Sequence, residues 1–335
     1  MANDRNDYMR PRNHTPWFCR TIFALTSFMM FVEIAKNGFK FEDFAVNPTI
    51  GPSVDTLLAL GAKETSLILD GQFFRLFTPM LLHAGIIHLL FNMLGLWNIG
   101  FPAEREFGWR KIGAIYVLSG VFGVLLSSIF LPQQVGVGAS GAIFGLFGSA
   151  WADLIHNWSL YRGQAYCVLA QLTVATLVNM SIGLMPFLDN FAHIGGFLSG
   201  LILGFTLLVQ NRYDVMGYRK ARLNYQLVLQ VLAITIIPIF FVMLLIILYA
   251  QVDVASSCDW CASLSCVPMP PGADDTELWW DCSECSQSEL QIINVNDKTG
   301  AYDIVCPSGE LVTVESGQAP DLTFADLKEN NRLII

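Results

Sequence analysis

Apolar residues in this chain are grouped in long blocks with few polar interruptions. Seven windows approach or exceed the length of a membrane crossing: about 17–35, 81–101, 112–131, 140–158, 165–185, 191–209 and 227–250. A helix needs roughly 20 apolar residues to cross the hydrocarbon core. The last block is the clearest, with no charge from Leu227 to Ala250. Lipid offers no partner to backbone N–H and C=O groups, so the first 250 residues are expected to be almost entirely helical. The pattern predicts an all-α polytopic membrane protein rather than one long soluble core. It has a six-helix core over 17–210 and a seventh transmembrane helix at 227–250. A polar arm (1–16) precedes the core, a basic loop (211–226) joins it to the seventh helix, and a small Cys-rich tail (251–335) follows. Segments 1 and 2 are separated by a long loop, 36–80. There Leu57, Leu58, Leu60, Leu67, Ile68 and Leu69, then Phe73, Phe74, Leu76 and Phe77, are interspersed with polar residues. This predicts amphipathic pieces lying in the membrane interface.

Composition agrees: 53% of residues are hydrophobic and 14% charged, against about 25% charged in soluble domains. Arg5, Arg10, Arg12 and Arg20 precede or open the first apolar run. That run is too long for a signal-peptide core and lacks a small-residue cleavage site, so it is expected to stay in the membrane. Basic residues favour the cytoplasmic side. With the N-terminus inside, Arg105, Arg110, Lys111, Arg162, Arg212, Arg219, Lys220 and Arg222 all fall on that side, and seven crossings put the C-terminus in a lumen or outside the cell. The expected location is a multi-pass protein of the secretory pathway, in Golgi, endosomal or plasma membrane.

The tail is different material. It carries three basic residues against fifteen acidic ones and is the source of the net charge of −9. It also holds Cys258, Cys261, Cys266, Cys282, Cys285 and Cys306. In an oxidising compartment an even cysteine count points to three disulfides; two Cys-x-x-Cys pairs leave zinc as the competing use, and the expected topology favours disulfides. Cys19 and Cys167 are expected to be plain small apolar residues.

Ionisable groups at membrane depth are costly and are functional candidates by default. Of five histidines, His83, His88 and His193 fall at the same ends of expected spans. His14 lies in the arm, and His156 is expected at a helix surface. Gly138-Ala139-Ser140-Gly141 opens segment 4, where free N–H groups and the helix dipole favour an oxyanion. A serine there is also what an ordinary N-cap looks like. Ala192-His193-Ile194-Gly195-Gly196 opens segment 6 at matching depth. Gly196, Gly200 and Gly204 form a small-residue stripe that matches Gly141 and Gly145 on segment 4, so the two helices can pack backbone to backbone. That packing brings His193 beside Ser140, as a general base requires. His88 and Asn92 share one face of segment 2 and can donate to a developing negative charge, although they can equally serve as interhelical glue. A metal site fits poorly, because no carboxylate is expected near these histidines within the spans.

These residues resemble the rhomboid family of intramembrane serine proteases, from about Phe73 to Gly204. The landmarks occur in order: Phe-Phe-Arg75, His83, His88-x-x-x-Asn92, Glu104-x-x-x-Gly108, Gly138-Ala-Ser140-Gly141 and Ala192-His193-Ile-Gly195-Gly196. Asp189-Asn-Phe-Ala-His193 and a helix after the core are similar to the eukaryotic secretase-type members. The stretch from Cys258-x-x-Cys261 to Cys266-Val-Pro resembles the tail of some plant-type ones. The resemblance implies Ser140 as nucleophile and His193 as base. It implies an oxyanion and substrate-binding group of His88, Asn92, Gly138 and Ala139, and structural roles for Arg75, His83, Glu104, Phe144, Gly141, Gly196 and Gly200. Phe74 and Phe144 stand where the family often has Trp and, in bacterial members, Tyr. No cofactor, metal or nucleic acid is implied. The expected partners are the bilayer and single-span membrane proteins carrying helix-weakening residues. A non-catalytic rhomboid-like protein that binds membrane helices is the alternative.

Overall fold

The computed structural model describes residues 13–252 except 45, 46, 162, 186, 187 and 215. In the tail it describes 254, 258, 261–265, 267, 290–295, 302–305, 311–314 and 332–333. Helix α1 (Trp17–Lys36) has no capping side chain of its own. Its first N–H groups are served from afar: the buried Glu104 carboxylate accepts from Phe18 N at 2.8 Å and Cys19 N at 2.7 Å. A carboxylate at a helix N-terminus satisfies orphan donors and the dipole together.

The loop after α1 folds into two short helices, α2 (Val54–Leu60) and α3 (Thr65–Leu69), followed by 3₁₀ turns at Phe73–Leu76 and Thr78–Leu81. Arg75 ties it together. Its Nη1 donates to Leu58 O (3.0 Å) and Ala62 O (2.6 Å), and its Nε to Gln72 Oε1 (2.8 Å). The second span begins later than the apolar pattern suggests. Residues 82–85 are not helical, and the helix runs from Ile86 to Phe107 as α4 (Ile86–Gly95), a π-helical stretch (Leu96–Gly100) and α5 (Phe101–Phe107). The loop explains the late start: Ile50 O and Thr49 O accept from Ile86 N and Ile87 N, so the loop supplies this helix end.

Next come α6 (Trp109–Phe130), α7 (Ser140–His156), α8 (Ala165–Ile182), α9 (Asn190–Leu207) and α10 (Asn224–Tyr249). Among the described residues, six helices are long and apolar enough to cross a membrane: α1, α4–α5, α6, α8, α9 and α10. Helix α7 has only 17 residues, about 25 Å of rise against roughly 30 Å of hydrocarbon. It lies between α6 and α9 with most of its residues buried, so Ser140, at its end, need not reach the membrane surface.

Glycine makes the α7–α9 packing possible. A Cβ added to Gly196 would overlap Gly141 O, one on Gly200 would overlap Gly145 O, and one on Gly204 would stand 2.6 Å from Ala152 Cβ. Helix α6 joins the same seam. A Cβ on Gly123 would meet Ala192 O at 2.7 Å, and one on Gly195 would meet Phe122 O at 2.8 Å. The stripe visible in the sequence is therefore one side of a three-helix contact.

At the other end of α7, Asp153 accepts from Asn157 Nδ2 (2.6 Å) and the Tyr161 hydroxyl (2.5 Å). His156 is not a surface residue. It is fully buried, its ring edge-on to Phe205 at 5.1 Å, because Tyr225 and Gln226 of α10 close over its carbonyl.

Strands occur among the described residues of the tail. After a short helix, α11 (Ala262–Ser265), four strands β1 (Leu290–Val295), β2 (Tyr302–Val305), β3 (Leu311–Val314) and β4 (Arg332–Leu333) pair antiparallel in the order β3-β2-β1-β4. Cys258 and Cys261 are joined by a disulfide. Cys266, Cys282, Cys285 and Cys306 lie outside the described residues.

Candidate functional site

Ser140 is the first helical residue of α7; the N-cap is Ala139, and no side chain caps this helix. The ordinary explanation for a serine here, a capping hydroxyl, therefore does not hold. Helix α9 offers a direct contrast: its N-cap, Asp189, accepts from Ala192 N at 2.9 Å. The Ser140 side chain is half-buried and free for other work, beside backbone donors that the uncapped helix leaves open.

His193 reaches the same place from α9. Gly141, next to Ser140, is close-packed on Ala192, next to His193, such that a Cβ on Gly141 would stand 3.2 Å from Ala192 O. Phe144, one turn after Ser140, stacks flat on the imidazole, with centroids 4.1 Å apart and planes at 14°. That ring fixes the plane of His193, which is only 5% exposed. Nδ1 of the imidazole is buried without a hydrogen-bond partner. No hydrogen bond joins Ser140 to His193 among the described contacts, as is common at catalytic pairs before substrate tightens the site.

His88 closes the third side. A Cβ on Gly138 would meet His88 Cε1 at 2.8 Å and Nε2 at 3.0 Å, with Ser140 Oγ at 3.7 Å. Gly138 also has φ +129°, a conformation open to glycine and strained for other residues. Asn92 is buried on the same helix, but its Nδ2 donates to His88 O at 3.0 Å. One of its two amide hydrogens is thus spent on its own helix, and His88 is the better-placed donor. His83 is fully buried, edge-on to His88 at 5.4 Å.

The Rhomboid domain family matches residues 70–210. RHOMBOID-like protein 1 of Arabidopsis thaliana is 37% identical over 290 residues, covering 79% of this chain and 72% of that protein. This chain belongs to the rhomboid family. RHOMBOID-like protein 2 of the same plant is 41% identical over 241 residues, covering 69% of this chain and 75% of its own length. Inactive RHOMBOID-like protein 8 is 33% identical over 266 residues, covering 75% and 73%. Membership is thus common to relatives with and without "inactive" in their names, and the chain is a multi-pass rhomboid-family membrane protein.

Two supports of this rhomboid site escaped the sequence reading. Lys63, from the long loop, is 1% exposed. Its Nζ donates to Leu131 O (2.6 Å) and Gln134 O (2.8 Å), and its backbone pairs with Gly136 in both directions. Lys63 thereby pins the segment leading into Ser140 while facing Asp189, the cap of the His193 helix. Burial lowers its pKa from 10.5 to about 8, against the pull of Asp189 and Glu64. The second is Glu33 of α1, fully buried, whose Oε1 accepts from His83 N at 3.2 Å. A carboxylate does stand near these histidines, contrary to the sequence expectation. It comes from the first span, which the pattern of the later helices gave no reason to place there.

Proposed function

We propose that this protein is an intramembrane serine endopeptidase that cuts single-span membrane proteins with a Ser140–His193 dyad. The observation that carries this reading is the uncapped start of α7: a free serine hydroxyl beside open backbone donors, one turn from the phenylalanine that stacks on His193. A serine hydroxyl is a weak nucleophile until a base takes its proton. As Ser140 Oγ adds to the scissile carbonyl, His193 accepts that proton, and the tetrahedral oxyanion is held by the Ser140 N–H and His88. Asn92 supports His88 through its carbonyl and has one amide hydrogen left to contribute. His193 then protonates the leaving amine as the C–N bond breaks. Water, deprotonated by the same imidazole, hydrolyses the acyl-enzyme and restores the hydroxyl.

A buried site between helices requires the substrate to unwind locally, so helix-weakening Gly or Pro near the cut favours cleavage. The basic residues support a cytosolic N-terminus and a lumenal or extracellular tail, in a membrane of the secretory pathway. The relative named inactive keeps a second reading open, a rhomboid-like protein that binds membrane helices without cutting them. Such a role needs neither a free Ser140 nor a ring-stacked His193. The test is cleavage of a model single-span substrate in proteoliposomes. Ser140→Ala and His193→Ala are each expected to lose at least about a thousandfold in kcat. Cleavage undiminished in Ser140→Ala excludes the mechanism.

A further inference from the structure

The tail returns to the site. The segment closed by the Cys258–Cys261 disulfide continues into α11, with Cys261 buried and Leu264 packed against the same apolar core as α9. Two hydrogen bonds dock it. Val267 N donates to Leu184 O, in the connection between α8 and α9 (3.0 Å), and Asn190 Nδ2 donates to Leu264 O (2.8 Å). Asn190 is the first residue of α9, three before His193 and on the same helix face. Its amide orientation is set by the bond to Leu264, since Nδ2 must face the tail carbonyl. Oδ1 therefore faces the other way. There it is buried with no donor, in a residue 3% exposed. His193 Nδ1 is also buried with no partner. Both atoms abut one point: a Cβ on Gly183 would overlap Asn190 Oδ1 and stand 3.1 Å from His193 Nδ1. Oδ1 and Nδ1 thus face the same small gap, which one bridging water can span.

We infer that Asn190 is a positioning residue for His193, accepting from Nδ1–H while its own amide is held in register by the tail's Leu264 carbonyl. Neutral imidazole carries one donor and one acceptor nitrogen. Fixing the proton on Nδ1 leaves Nε2 as the acceptor for the Ser140 proton. The dyad then has an orienting group, supplied by an amide rather than a carboxylate. This rests on the protease reading above. His88 is the other titratable group facing His193, and Asp189 caps the same helix.

The test uses the full chain in proteoliposomes with a single-span substrate, plus histidine side-chain ¹⁵N spectra, which report the tautomer whether or not the protein turns over. Asn190→Ala is expected to lower kcat about tenfold, the worth of one hydrogen bond at the base, with KM little changed. The His193 Nδ1–H signature is lost with it. Asn190→Asp places a carboxylate beside Nδ1, and the acid limb of the kcat/KM profile moves up by about one pH unit or more. Gly183→Ala, which crowds Oδ1, changes kcat in the direction of Asn190→Ala. A fold role alone would lower the yield of folded protein and leave tautomer and acid limb in place. That result overturns the inference. Cleavage by the parent with an Nε2–H tautomer at His193 also overturns it while sparing the protease reading. A parent with the Nδ1–H tautomer held by Asn190 but no cleavage sinks the protease reading and leaves the contact standing.

Discussion

Helices α8 and α9 flank the same site and are built in opposite ways. Helix α9 is pressed into α6 and α7 through glycine, so closely that a single methyl on Gly196 or Gly200 would collide with backbone. Helix α8 buries only Ala165, and 6% of its most apolar stretch is covered, against 78% for α6. Its named side-chain bond to α7 is Trp151 Nε1 to Thr176 Oγ1, 3.0 Å. One helix is positioned by packing that has no slack, whereas the other leans on the bundle and faces lipid. Under the proposed protease reading, holding a serine and a histidine in fixed register while admitting a helix from the bilayer calls for both kinds of contact, and lateral access past α8 is the route that proposal expects.

The largest expected effect comes from breaking the tight side. Gly200→Leu pushes a side chain into Gly145 O, and overpacking of this kind typically costs about 1–3 kcal/mol, at the upper end against backbone. Thermal unfolding in detergent should show a large fall in Tm together with loss of all activity. Gly138→Ala follows. Its φ of +129° costs about 1–3 kcal/mol for a non-glycine residue, and the new methyl meets the His88 ring. Substrate turnover should fall more than stability does, because His88 is displaced while the seam is untouched.

Lys63 sharpens how the two helix starts are held in register. Its pKa is about 8 in the fold and 10.5 when free. The unfolded chain therefore binds more protons between those values, and this lysine's contribution to stability rises with pH from about 8 to 10.5. The difference in Tm between parent and Lys63→Met should grow across that window; a constant difference would mean the amine is not buried as described. The smallest effect is on the loose side. Thr176→Val removes one hydrogen bond, worth about 1 kcal/mol, and is expected to leave Tm nearly unchanged. Cleavage of substrates limited by access should rise by at most about fivefold.

Much of this was legible before any coordinates. Apolar length shows the helical membrane segments and their order, since lipid forbids alternatives to helix, but it counts seven crossings where six described helices are long and apolar enough to span. The Gly196, Gly200 and Gly204 stripe already implied close approach to α7. Ser140 and His193 were legible as a pair because each opens a helix of matching depth. What was hidden depends on contacts far apart in sequence. Glu104 was expected to be structural, but its partners are N–H groups some 85 residues earlier. Lys63 sits in a loop whose composition says only that it is amphipathic. Its burial depends on carbonyls that lie about 70 residues on. His156 looked like a surface residue because α10, which covers it, reads from sequence as an isolated span. The late start of α4 was masked for the same reason: the apolar count cannot see that loop carbonyls replace a helical turn. The docking of the tail beside Asn190 left no periodic trace at all.

The central claim is that Ser140 is a nucleophile activated by His193. A fluorophosphonate probe applied to the full chain in membranes, with the adduct located by mass spectrometry, tests it without knowledge of the natural substrate. The account predicts a covalent adduct on Ser140 in the parent protein and its loss in His193→Ala. An adduct that forms equally well without His193, or a parent that cleaves substrate while Ser140 stays unmodified, would contradict it.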